Sequence, residues 1–141
     1  MSNPALSNEP LTSFAEIVAQ SVLDAFPHWK AYLRNSPAGE FTLEIPLGHR
    51  TDQPGVLVQT DSDLEYIIVG IGPGHAELAD WNNKIEITEL AQDAIRLVQA
   101  ILQEQYIGAK LTTGNALLGT EEIEHSDIQT SVSWLGTYDR G

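Results

Sequence analysis

The chain has 141 residues, 42% of them hydrophobic, with 20 Asp and Glu against seven Lys and Arg and no cysteine. That is the size and composition of one folded domain, and the missing cysteines exclude disulfides, thiolate metal sites and cysteine nucleophiles. The formal net charge of −13 would repel a phosphate backbone or an anionic lipid surface, so nucleic-acid and membrane partners are not expected.

Residues 1–12 read as a flexible tail without the basic start or apolar core of a signal peptide, and residues 13–141 as a single α+β domain. No apolar run approaches the roughly 18 residues of a membrane span, and a cytoplasmic location, with which the missing cysteines are consistent, is expected. Ser13 and Glu16 form an S-x-x-E capping box. After it, Phe14, Ile17, Val18, Val22, Ala25 and Phe26 recur at helical spacing and predict one buried stripe. Pro27 ends or kinks that helix, and one more helical turn is expected around Trp29 and Tyr32 before the SPAG turn.

Strand patterns follow. FTLEIPL places Phe41, Leu43, Ile45 and Leu47 on one face. GVLVQT and EYIIVGI flank the turn TDSD, and the second is apolar on both faces, as a covered central strand would be. The stretch GIGPGHAELADW then crowds Gly70, Gly72, Pro73 and Gly74 ahead of His75, Glu77, Asp80 and Trp81. Its glycine spacing is not that of a dinucleotide fingerprint, and no Lys-Ser/Thr pair completes a P-loop. A kinked strand, with Trp81 anchoring it to the core, is the expected structure.

Thr88 reads as the cap of a second helix, with Glu89 and Asp93 near its positive end. Ala91, Ala94, Ile95, Val98, Ile101 and Leu102 give it an apolar stripe. YIGAKLTTGNALLGTEEI reads as a hairpin turning at TTGN. DIQTSVSWLGTYDRG reads as one long strand with Ile128, Thr130, Val132, Trp134 and Tyr138 on one face. Runs of strands joined by short turns predict an α+β fold, a mainly antiparallel sheet of about six strands with two principal helices packed on it.

Three acidic constellations are candidates for chemistry. His75 and Glu77 would share a strand face, with Asp80 reachable if the chain bends, but three supported ligands are what a catalytic metal needs. DSDLE at 61–65 opens like a calcium loop, then places Tyr66 where glycine is required and Gly72 where a bidentate Glu is required. The run EEIEHSD supplies Glu121, Glu122, Glu124 and Asp127. No nucleophile–base arrangement stands out. No catalytic, cofactor or metal residue is therefore assigned. Asp61, Asp63, Glu65, His75, Glu77, Asp80, Glu121, Glu122, Glu124 and Asp127 are the candidate contacts for a basic protein partner.

The succession GEFTLEIPL, GVLVQTDSDLEYIIVGIG, HAELADW, ELAQDAIRLVQAILQEQ and SVSWLGTYD resembles a family of small bacterial domains over about residues 40–139. Many such domains look like immunity proteins encoded beside polymorphic or contact-dependent toxins. The matching positions are His75, Asp80, Trp81, Ser133, Trp134, Gly136, Tyr138 and Asp139; Glu77 stands where that family commonly has a second histidine. The resemblance implies a binding role, and with the acidic charge the expected function is a non-enzymatic immunity-type inhibitor that occludes a basic toxin. An acidic secretion chaperone, and a small enzyme or metal protein using His75, Glu77 and Asp80, are the alternatives.

Overall fold

A computed structural model describes residues 11–79 and 86–141. Residues 1–10, Asp80 and Trp81 lie outside the described residues. Helix α1 runs Ser13–Ala25, and its cap is Thr12 rather than Ser13: the Thr12 hydroxyl accepts from the Ala15 amide at 3.2 Å. Adjacent hydroxyl residues make the two caps hard to separate in sequence, and the Thr12 backbone amide is also held, donating to Gly39 O at 2.9 Å. The buried stripe is Phe14, Ala15, Val18, Ala19 and Val22; Ile17 and Ala25, counted in it from spacing, are exposed. Pro27 opens a short 3-10 segment, Pro27–Tyr32, in which buried Trp29 stacks on Phe26 with ring centroids 4.3 Å apart.

Five strands then form a meander: β1 Leu33–Asn35, β2 Phe41–Ile45, β3 Val56–Asp61, β4 Tyr66–Ile71 and β5 Gly74–Ala79. Every pairing is antiparallel and between consecutive strands. Phe41, Leu43 and Ile45, Val56 and Val58, and Ile67, Val69 and Ile71 point to one side and are buried. On that side they meet α1 and helix α2, Ile87–Leu102, in a single apolar core. Each such side chain contributes about 1.5–3 kcal/mol by leaving water. Helix α2 presents Leu90, Ala91, Ala94, Ile95, Val98 and Ile101 to this core, as its spacing predicts. Its cap is Glu86 rather than Thr88, and no side-chain bond supports it.

A second, three-stranded sheet follows, with β6 Tyr106–Leu111 between β7 Gly114–Gly119 and β8 Ile128–Val132. One face buries Ile107, Ala109 and Leu118 with Ile123 of the 3-10 segment Thr120–His125, as a small core of its own. The other sends Val132 and Leu117 towards the main core. The fold is thus α+β with two main helices, but the described residues form eight strands in two antiparallel sheets rather than about six in one. The long C-terminal strand is also corrected. Pairing stops at Val132, and the chain turns through Gly136, whose φ of 86° is left-handed, before Arg140 bridges back to Ser131. Trp134 is half-buried against the main core, whereas Tyr138, assigned to the same face as Val132, is 38% exposed.

GIGPGH is where the two sheets meet. Gly72 and Pro73 form a tight hairpin turn between β4 and β5, with Gly72 at φ 55°. Glycine at the first central position of a two-residue turn matches the strands' twist. A side chain on Gly74 would stand 2.1 Å from Ala116 O, and one on Gly108 would stand 1.6 Å from Ile71 O. Backbone therefore lies directly on backbone at this junction, which only residues without Cβ permit. The expected kink is instead a hairpin tip docked on the second sheet.

Candidate functional site

Because the helices cover one side of the five-stranded sheet, alternate residues of its strands face the other way. Register places Arg34, Thr42, Glu44, Leu57, Gln59, Asp61, Tyr66, Ile68, Gly70, His75 and Glu77 on this second side. Glu44, His75 and Glu77 are exposed, while Thr42, Leu57, Gln59, Tyr66 and Ile68 are half-buried by one another. The result is an open face with an apolar strip and charged flanks.

Two concavities mark this face. One, of about 480 Å³, lies among Tyr32, Arg34, Thr42, Glu44, Arg50 and Gln53. The other, of about 260 Å³, lies among Glu44, Leu57, Gly70 and His75. They share Glu44 and Gly55 and so adjoin along the sheet. Tyr66 stands opposite Asp61 across the β3–β4 pair. Burial raises its phenol above the ordinary value, and the nearby charges of Asp61 and Glu77 act in the same direction.

The sequence candidates fall into distinct places. Asp61 is occupied within its turn, its carboxylate accepting from the Asp63 and Leu64 amides at 3.0 and 3.4 Å. Asp63 and Glu65 are exposed in that turn, and Glu65 has a positive φ of 51°. The turn is tied down from the other side by Glu40, which accepts from the Ser62 amide and hydroxyl at 2.9 and 2.8 Å and from Thr60 at 2.9 Å. His75 and Glu77 share the open face, as alternation requires. Their cross-strand neighbours are Gly70 and Ile68, which offer no ligand atoms. Among the described residues no three His, Asp or Glu side chains converge as metal ligands. Glu121, Glu122 and Glu124 are exposed on the 3-10 segment Thr120–His125, and Asp127 is exposed just before β8, so this group belongs to the second sheet.

One cluster was not legible beforehand. Asp139 Oδ1 accepts from the Ser133 amide at 2.7 Å and the Ser133 hydroxyl at 3.3 Å. Its Oδ2 meets His49 Nε2 at 2.9 Å and Arg50 at 3.4 Å. Arg50 also grips Asp52 through two bonds of 2.9 and 2.7 Å, which raise its pKa. Burial opposes ionisation of Asp139, but the Ser133 amide and the His49 and Arg50 contacts outweigh it and hold the carboxyl below its ordinary value. Glu104, at φ 57°, caps the same turn by accepting from the Leu135 and Thr137 amides at 3.1 and 3.3 Å and from the Thr137 hydroxyl. Its partial burial is likewise outweighed by these bonds, headed by the Thr137 hydroxyl, and its pKa is lowered.

Serine, histidine and aspartate meet here without making a hydrolytic triad. The carboxylate, not the imidazole, bonds to Ser133, and Ser133 is fully buried. A triad needs the imidazole between the other two and the hydroxyl open to substrate. The cluster is a clasp that fixes the C-terminal turn to the loop carrying His49 and Arg50. Ser133, Gly136 and Asp139, three of the matching positions within SVSWLGTYD, have structural work in it. Comparison of the chain with protein families, with characterised proteins and with solved structures finds no match.

Proposed function

We propose that the protein is a non-enzymatic binding protein, an immunity protein that neutralises a cognate bacterial toxin in the cytoplasm by covering its active surface. The observation that carries this reading is a set of carboxylates with no internal task. Among the described residues, Glu77, Glu121, Glu122, Glu124 and Asp127 are exposed, and their side chains take part in no intramolecular hydrogen bond or ion pair. They sit in a chain of net charge −13. Such a surface draws in a basic partner and disfavours acidic ones. Occlusion at standard interface size takes about 800 Å² from each partner, one tenth of the 8083 Å² accessible here. The likeness of the strand and C-terminal motifs to immunity-type domains supports the same reading.

The test is co-expression with the product of the adjacent reading frame. Expected outcomes are a complex that survives purification and rescue of cells from that product. If the adjacent product is harmless alone, or kills equally with and without this protein, the immunity reading fails.

A further inference from the structure

The two adjoining concavities form a trough across the strands from Arg34 to His75, and Tyr66, Ile68 and Glu77 stand beside it on the same open sheet face. Its charge is uneven. Arg34 and Arg50 stand at the β1 end, Arg50 already paired with Asp52 and Asp139, while Glu44 lies on β2 where the concavities join and Glu77 lies on β5 beside Tyr66 and Asp61. Leu57 and Ile68 supply apolar surface between them. Glu44 is diagonal to Arg34 across the β1–β2 pair, yet no ion pair joins them among the described residues. The half-buried Tyr66 ring, between two carboxylates, suits an ammonium or guanidinium group. An aliphatic stem can lie on Leu57 and Ile68 while its charged head reaches a carboxylate.

From this charge pattern we infer that the trough takes an extended, lysine- or arginine-bearing segment of a partner protein, with its cations over Glu44 and Glu77. The inference rests on the binding reading above and adds which surface is used. Three strand spacings of ~4.8 Å and the two-residue offset of Glu77 from His75, the residue level with Glu44, put the two carboxylate positions about 16 Å apart, within reach of two long cationic side chains four extended residues apart. The segment therefore carries its two cations about four residues apart and leaves the Arg34 end free of positive charge.

The probe is a capped heptapeptide with lysines four residues apart in an alanine background, with a glutamate counterpart as control. Binding is followed by amide chemical shifts of the isotopically labelled protein at millimolar peptide. The lysine peptide should move amides of β2, β4 and β5, and the glutamate peptide should not. Glu44 and Glu77 are exposed, so Glu44→Gln with Glu77→Gln leaves the fold intact. The pair should weaken binding about tenfold, as the loss of two solvent-exposed charge contacts predicts, whereas Glu16→Gln with Glu89→Gln, exposed on the helices that cover the other side of the sheet, should not. Shifts confined to residues 120–127 would overturn the trough and leave the binding reading standing. So would affinity unchanged by the Glu44 and Glu77 substitutions. No shift with any lysine peptide also overturns it, and the co-expression result then decides the binding reading by itself.

Discussion

Gly74→Ala tests the junction that places His75 and Glu77. The new methyl would stand 2.1 Å from Ala116 O, 2.7 Å from Ala116 C and 2.8 Å from Gly108 Cα. An ordinary carbon–oxygen contact is about 3.3 Å, so the two sheets would have to separate by about an ångström. All three obstructing atoms are backbone, and no side chain can rotate away. Overpacking costs about 1–3 kcal/mol and sometimes more; the rigid neighbours put this case at the upper end, about 3 kcal/mol. For 141 residues, an unfolding entropy of ~2.1 cal/mol/K per residue amounts to about 0.3 kcal/mol/K, so the melting temperature should fall by about 10 °C. Gly48→Ala is the control, because nothing lies within 4 Å of its Cβ position. Thermal denaturation followed by circular dichroism reads both. A Gly74→Ala melt within about 2 °C of the Gly48→Ala melt would refute backbone contact between the sheets.

Asp139→Ala removes the acceptor for the Ser133 amide and hydroxyl and the link to His49 and Arg50, and should cost about 2 kcal/mol in urea denaturation. Asp139 and Glu104 both titrate below their ordinary values in the folded chain. Between the folded and unfolded values the unfolded chain binds more protons, so their stabilisation is complete above about pH 5 and is lost progressively as pH falls below about 4. Urea midpoints across that range should show this decline, and Asp139→Ala should flatten part of it. Substituting Glu121, Glu122 and Glu124 by Lys should change stability by less than about 0.5 kcal/mol, yet slow association with the partner and flatten its salt dependence in stopped-flow measurements. Chelator treatment should leave the melting temperature unchanged, since His75 and Glu77 face Gly70 and Ile68 rather than further ligands.

Periodicity carried the larger elements. The α2 stripe from Ala91 to Ile101 and the alternation of Phe41, Leu43 and Ile45 are local signals, and burial enforces them. What was not legible depends on distance in sequence. Two sheets rather than one follows from Gly74 meeting Ala116 and Gly108 meeting Ile71, contacts that no local pattern encodes. The C-terminal stretch read as one strand because Val132, Trp134 and Tyr138 keep even spacing. Gly136 and the Asp139 amide bond to Gly136 O break it, and the glycine two residues after Trp134 was the available signal. The α1 cap is ambiguous by one residue in the sequence because Thr12 and Ser13 are both competent. At the candidate site, the carboxylates were identifiable as residues, but the face that gathers Glu44, Tyr66 and Glu77 emerges only once β2, β4 and β5 are in register. His49 and Asp139 lie 90 residues apart and carry no shared pattern.

The meander and the clasp also set an order of assembly. Five strands paired only with their neighbours close short loops, and contacts of low sequence separation form fast. The clasp between Asp139 and His49 must instead close a loop of 90 residues, so it belongs late in folding. An interaction made after the transition state retards escape from the native state without hastening arrival there. The turn from Ser133 to Arg140 should therefore act as a latch on lifetime: in stopped-flow unfolding and refolding, Asp139→Ala should raise the unfolding rate and leave the refolding rate unchanged.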